Sequence, residues 1–233
     1  MRRRFFADTV EGSAPPARAS VRGANAEHLT RVLRAQPGQR YELAHQGRVY
    51  LGEIEHATRD EVRFAIVEAL PEPLPGPRLE LAAALFKFDR FEWMLEKATE
   101  LGVAAVHPLI TRRTEARLAA AAAKRSSRWQ TILFEAAQQS RRVECPALHS
   151  CQSLAALLAA PSSGRRCLLS ELPGAPAFRA GPEPLLLLTG PEGGWTAEEI
   201  EAAQVAGFAP VSLGPLILRC ETAILAALAR AGG

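Results

Sequence analysis

Two glycine-broken segments near the end of the chain hold the residue types best placed for chemistry: Leu185 to Thr196 (LLLLTGPEGGWT) and Leu213 to Ala223 (LGPLILRCETA). In each, an apolar stretch of buried-strand character stops at a glycine and gives way to a helix. Two such strand exits close together in sequence bring two glycine-bearing loops to one edge of a sheet, which is where open α/β folds bind ligands. Gly190-Pro191-Glu192-Gly193-Gly194 is not the GxGxxG of dinucleotide sites, and no GK[ST] follows it, so an NTP-binding loop is also a poor fit. Taken alone, the loop reads equally well as a strand-to-helix turn that needs glycine backbone angles.

A second signal is where the charge lies. The whole chain carries 28 Lys and Arg against 25 Asp and Glu, a net charge of +3 that excludes little. Between positions 112 and 142, eight basic residues (Arg112, Arg113, Arg117, Lys124, Arg125, Arg128, Arg141, Arg142) face only Glu115 and Glu135. The arginine fork bonds two phosphate oxygens at once, so this cluster suits a nucleic-acid-facing surface; the alternative is a solvated helix face. Arg2, Arg3 and Arg4 beside Phe5 and Phe6 suit phosphate contact with base stacking, or else form a disordered basic tail. Cys145, Cys151, Cys167 and Cys220 show no CxxC spacing and no histidines at finger-like intervals, which predicts neither a metal site nor a disulfide framework. His107, before Pro108 at a strand end, is expected to be a packed histidine rather than a base.

The elements that must position these residues fall into two sets. Pro71 to Pro77 holds four prolines and a glycine in seven residues, which marks 71–78 as a linker. Before it, Arg40 to Ala44, Arg48 to Ile54 and Glu61 to Val67 alternate with period two, so residues 1–70 are expected to form a small β-rich domain with one helix, Asn25 to Arg34. After it, strands are expected at Leu79 to Phe86, Val103 to Ile110, near Ala147, and at Cys167 to Glu171, Pro184 to Thr189 and Pro210 to Leu213. Helices alternate with them: Asp89 to Leu101, Ser127 to Ser140, Leu154 to Ala159, one capped by Thr196 and ending at Gly207, and Glu221 to Ala231. That alternation predicts an α/β domain over 79–233 built on a parallel sheet covered on both faces.

With 233 residues, 48% of them apolar, the chain has enough material for a real core. Its apolar runs, such as Ala119 to Ala123, fall far short of the roughly 20 residues of a membrane span. Met1 to Phe6 is basic but no apolar stretch follows, so it does not read as a signal peptide and a cytoplasmic protein is expected.

Four segments, in order, resemble a known family. KATELGV (Lys97 to Val103), EAAQQSR (Glu135 to Arg141), TGPEGG (Thr189 to Gly194) and LILRCETA (Leu216 to Ala223) resemble the serial motifs of the RsmE family, the 16S ribosomal RNA uracil-N3 methyltransferases of the SPOUT superfamily. Arg3 to Phe6 and His28 to Arg34 resemble its N-terminal signature, so the likeness covers nearly the whole chain. The resemblance implies an α/β fold with a SPOUT-type trefoil-knot methyltransferase domain over 79–233, preceded by a PUA-like RNA-binding β-barrel over 1–70. It implies S-adenosylmethionine as cofactor, small-subunit ribosomal RNA or the assembled small subunit as substrate, and a homodimer with each site at the subunit interface. A SPOUT enzyme acting on another base or a ribose 2′-hydroxyl is the alternative within the class; an RNA-binding or ribosome-assembly protein without the chemistry is the alternative outside it. The chain departs from the family pattern at Leu216, commonly arginine, and at Cys220, commonly threonine or alanine.

On this resemblance the cofactor is held by Leu188, Thr189, Gly190, Pro191, Glu192, Gly193, Leu213, Gly214, Leu218, Arg219, Thr222 and Ala223. Gly190, Gly193 and Gly214 would let backbone groups approach the adenine and ribose, a side chain at Gly193 being expected to close the site. Leu188, Leu213 and Leu218 would be the apolar walls, and Trp195 either covers the cofactor or packs. Reaction at N3 of uracil requires loss of a weakly acidic proton and stabilisation of charge spread onto O2 and O4. Arg219 is the first candidate for the charge; Glu192 and Glu221 are candidate bases, each also suited to capping a neighbouring helix. Arg2, Arg3, Arg4, Arg31, Arg34, Arg112, Arg113, Arg141 and Arg142 are the expected RNA contacts.

Overall fold

In the computed structural model, which describes residues 3–12, 17–71, 76–161, 163–172 and 174–232, the chain divides into two compact units. The first gathers residues 1–74 and 137–145, the second 75–136 and 146–233. The reassignment of 137–145 to the first unit has no signal in the sequence, and positions 72–75 of the expected linker lie outside the described residues.

The first unit is built on β1 (Arg4–Phe6), β2 (Thr9–Glu11), β3 (Ala17–Arg22), β4 (Arg40–His45), β5 (Arg48–Ala57) and β6 (Glu61–Leu70). They form one sheet in the order β1-β4-β5-β6-β3-β2, antiparallel except where β1 lies beside β4. The described start of the chain is therefore not a tail. Phe5 is 4% exposed and packs in the core with Leu43, Tyr50 and Phe64, so it is not free to stack on a base. The helix expected over Asn25 to Arg34 is two pieces: α1 (Gly23–Glu27) runs into a π-helical turn at His28–Val32, and Arg34 ends it in the left-handed conformation (φ 50°).

An ion cluster locks this unit. Glu42 of β4 is 7% exposed and accepts hydrogen bonds from the guanidinium groups of Arg4 (2.8 Å) and Arg141. Burial by itself pushes the Glu42 carboxyl up, but the bonds from Arg141 and Arg4 outweigh it and hold the pKa below the ordinary glutamate value.

The second unit is a parallel sheet of β7 (Leu79–Ala84), β8 (Val103–Ile110), β9 (Ala147–Leu148), β10 (Gln152–Ser153), β11 (Arg165–Leu169), β12 (Leu185–Thr189) and β13 (Ala209–Val211). The order is β10-β8-β7-β12-β11-β13, with β9 alongside β8. On one face α2 (Phe88–Glu100), α3 (Ala116–Gln139) and α6 (Cys220–Gly232) bury Phe91, Trp129 and Ile224 against Leu81 and Leu187. On the other, α4 (Leu154–Ala159) and α5 (Ala197–Val205) cover Leu109, Leu168 and Leu188. Consecutive leucines of β12 thus serve opposite faces, as a doubly covered strand requires.

The helix ends follow local chemistry. Thr196 Oγ1 accepts from the Glu199 N–H (3.3 Å) and Glu199 Oε2 accepts from the Thr196 N–H (3.0 Å), the capping box expected for α5. Lys87, not Asp89, holds the N-cap position of α2, whose far end is closed by Gly102 at φ 90°. α3 begins at Ala116 rather than Ser127, because the alanine run at 119–123 is the strongest intrinsic helix former in the chain.

Glu42→Gln is expected to destabilise the first unit by about 2 kcal/mol at neutral pH, since it leaves two guanidinium groups without their carboxylate. Because the folded-state pKa of Glu42 is depressed, that contribution is complete above the ordinary value of 4.5 and is lost as pH falls through the lower folded value. Urea unfolding of both proteins across this range should show their stabilities converging in acid.

Candidate functional site

β12, β11 and β13 are neighbours and run parallel, so the loops that leave them open at one edge of the sheet. Residues 189–195, 169–172 and 211–220, which follow these strands or end them, line a cavity of about 690 Å³, in the size range of small-molecule sites. Arg90 of α2 and Arg113 after β8 complete its wall. The third loop, 169–172, was not singled out by any sequence motif.

Trp195 ties two of the loops together. Its indole N–H donates to the Leu169 carbonyl (3.4 Å), and a Cβ built on Gly190 would stand 3.0 Å from the ring. Glycine is needed at 190 so that the ring can lie there. Gly214 has φ 128°, a conformation that side chains rarely adopt. At Gly193 a Cβ would meet Arg113 at an ordinary 3.4 Å, so the protein itself makes no demand for glycine there.

Several charged residues expected at the site are engaged in building it. The Arg113 guanidinium donates to the Gly193 carbonyl (2.6 Å), and the Arg112 N–H donates to Glu199 Oε1 (2.8 Å), so the turn after β8 is strapped to the glycine loop and to the capping box. Arg113 is thereby a clamp rather than a free phosphate contact. Glu192 accepts from the Lys87 N–H (3.4 Å) at the start of α2, and Glu221 is 9% exposed in the first turn of α6, 3.8 Å from Arg90. Carboxylates are favoured at helix N-termini by unpaired N–H groups and the dipole, and both residues stand at such positions.

Thr189 and Arg219 differ from these in having no protein partner among the described residues. Thr189 is 3% exposed, and its Oγ1 has no hydrogen-bond partner, a loss of about 1–3 kcal/mol that a ligand group can make good. Arg219 directly precedes α6, where a cation opposes the helix dipole, and no described residue accepts from its guanidinium. An exposed cation held at that position on a cavity wall is suited to an anionic group.

The remaining expected residues divide. Pro191, Leu213, Leu218 and Ala223 line the cavity. Leu188 does not: period two turns it into the core below α5, while Thr189 faces the cavity. Thr222 also misses it, because α6 presents Cys220 and Ala223, three residues apart, and turns Thr222 to solvent. The Cys220 thiol is pushed up to about 12 by burial and by Glu192, Glu221 and Glu171, so it stays protonated. Among the described residues no group of His, Cys, Asp and Glu is placed to hold a metal ion.

Of the expected RNA contacts, Arg3, Arg34 and the Arg112 side chain are exposed, and Arg31 is exposed beside Glu27 (2.6 Å). Arg4 and Arg141 are spent on Glu42, and Arg142 is half-buried. The expected contact of Arg2 lies outside the described residues. His107 is packed as expected, bonded to Glu80 (3.1 Å) and stacked on His149 with ring centroids 4.0 Å apart.

Comparison with known proteins adds the following. Residues 72–232 match the family model of an RNA methyltransferase domain, and residues 21–67 that of an RNA methyltransferase PUA domain. Ribosomal RNA small subunit methyltransferase E of Synechocystis sp. is 36% identical over 219 residues, covering 89% of this chain and 70% of the relative. The Bacillus subtilis protein of that name is 31% identical over 242 residues, covering 98% and 94%. The crystal structure of a ribosomal RNA small subunit methyltransferase E from Neisseria gonorrhoeae bound to S-adenosyl methionine superposes with a TM-score of 0.86 at 30% identity, covering 98% of this chain and 96% of the other.

Gly190→Val is expected to push Trp195 off the Leu169 carbonyl. The indole N–H resonance of Trp195 should shift in a nitrogen-correlated NMR spectrum, with a stability loss of about 1–3 kcal/mol from overpacking; an unmoved resonance would separate the loop from the tryptophan.

Proposed function

The chain belongs to the ribosomal RNA small subunit methyltransferase E family, and from that premise we propose that it transfers a methyl group from S-adenosylmethionine to N3 of a uridine in 16S ribosomal RNA. The observation that carries this reading is the three-loop cavity at the edge of the parallel sheet, with its unpartnered Thr189 hydroxyl and unpaired Arg219. The residues present fit the cofactor. Leu213 and Leu218 offer apolar contact to an adenine, Gly214 leaves open space in which main-chain groups can come close to it, and the orphan hydroxyl of Thr189 gains a polar partner.

When bound, S-adenosylmethionine supplies a methyl carbon on a sulfonium that is already a good leaving group. The protein's part is then to hold the uracil in line, exclude water and manage charge. Arg219 is assigned to the negative charge that spreads onto O2 and O4 as the N3 proton leaves. With Glu192 on α2 and Glu221 on Arg90, neither carboxylate is assigned as the proton acceptor.

For RNA, the reading uses the PUA-like first unit with Arg3, Arg31 and Arg34, and Arg112 on the second unit. A homodimer is proposed as the working form. Leu216 and Ile217 on the cavity lip are 77% and 83% exposed and Trp93 of α2 is 46% exposed, apolar surface that a second copy would cover. No helix among the described residues is long and apolar enough to cross a membrane, and the proposed compartment is the cytoplasm, where ribosomal subunits are assembled.

Incubating unmodified small subunits, and separately their naked RNA, with the protein and S-adenosylmethionine should yield N3-methyluridine by nucleoside mass spectrometry. A different methylated nucleoside would move the target, and neither methylation nor cofactor binding would leave an RNA-binding protein. Arg219→Ala should lower kcat by about 10²–10³-fold with cofactor affinity little changed; an equal loss of affinity would reassign Arg219 to cofactor binding.

A further inference from the structure

The charged residues that line the cavity are Arg90, Arg113, Glu171, Glu192 and Arg219. Three of them are satisfied within the protein: Arg90 faces Glu221, Arg113 holds the Gly193 carbonyl, and Glu192 accepts from the Lys87 N–H. Arg219 has the role assigned above. Glu171 alone is left with neither a partner among the described residues nor a role.

The residues on either side of Glu171 are held by three hydrogen bonds. The Leu169 carbonyl accepts from the Trp195 indole, the Ser170 N–H donates to the Val211 carbonyl (3.0 Å), and the Leu172 N–H donates to Ser170 Oγ (3.1 Å). The chain therefore spends four groups on holding a turn whose one acidic side chain stays free at the cavity. Glu171, Glu192 and Glu221 all stand close enough to the Cys220 thiol on the cavity wall to help push its pKa up. The buried, unpartnered hydroxyl of Thr189 on the same wall is an independent sign that a polar ligand group belongs there.

Resting on the cofactor reading above, we propose that Glu171 is the counter-charge for the cationic end of the bound cofactor, its sulfonium or its α-ammonium. A carboxylate on the wall of a part-enclosed cavity attracts either centre more strongly than it would in open water. If it faces the sulfonium, it favours the charged donor over the neutral thioether product, which carries no charge at that sulfur. The attraction is then present while the methyl group is loaded and absent once it has been transferred, which assists product release.

Calorimetric titration of the wild-type chain and of Glu171→Gln with S-adenosylmethionine, S-adenosylhomocysteine and sinefungin tests this. Glu171 is exposed, so the substitution should leave the thermal unfolding profile unchanged. The variant is expected to bind S-adenosylmethionine about five- to tenfold more weakly, the scale of one partly solvated charge pair. A loss confined to S-adenosylmethionine and sinefungin, which carry positive charge on the sulfonium and on the amine that replaces its methyl group, assigns Glu171 to the sulfonium. An equal loss for all three ligands assigns it to the α-ammonium they share. Unchanged affinity for all three in the variant, with normal binding by the wild type, would overturn the proposal and leave the cofactor reading intact. A wild-type chain that binds none of them would overturn that reading and this inference together.

Discussion

Parallel pairing of β12 with β11 and of β11 with β13 is the constraint on which the site depends. Leu168 is registered against Leu188 on one side and Pro210 on the other, so the three strands end side by side, with neighbouring strands about 4.8 Å apart. A parallel connection must carry the chain back before each new strand, and every strand exit therefore falls on the same edge. Residues near 170, 190 and 213, separated by about twenty positions each, become neighbours for that reason. Burial of Leu185 to Leu188 from both faces leaves β12 no freedom to slide.

Once the loops meet, a second layer of contacts stiffens them. Trp195 joins the loop of β12 to that of β11, Arg113 joins it to the exit of β8, Glu192 joins it to the start of α2, and Arg90 approaches the start of α6. These bonds satisfy most of the polar groups that crowd the sheet edge. The exceptions are the Thr189 hydroxyl, the Arg219 guanidinium and the Glu171 carboxylate, and all three belong to the cavity. Of these only the Thr189 hydroxyl is buried, whereas Arg219 and Glu171 are exposed charges on the cavity wall, open to a ligand of matching charge.

Charge in the first unit follows the same division between structure and surface. Arg4 and Arg141 are drawn in by Glu42, where their hydrogen bonds overcome the burial of the carboxylate. Arg3 and Arg34 stay at the surface. Arginines that look alike in a composition count thus differ by whether a buried acceptor stands within reach, a property of the packed unit and not of the residue type.

Local chemistry was legible residue by residue. Alternation announced β4, β5 and β6; Thr196 with Glu199 announced a capped helix; Gly102 announced a helix end; and two glycine loops with Arg219 pointed to the sheet edge at which the cavity lies. Elements of three residues, such as β1 and β2, are too short for a period to register, and α3 hid its first eleven residues because a run of alanines has no amphipathic pattern. By itself the sequence determined what each segment prefers to be, because period, caps and glycines act over a few neighbouring residues. Only the tertiary structure decided that Leu188 turns inward while Thr189 faces the cavity, that Glu192 and Glu221 are occupied, and that Glu171 stands free beside them. Those outcomes depend on which strand ends lie side by side and which donor sits opposite each acceptor, and such pairings join residues whose separation along the chain carries no local signal.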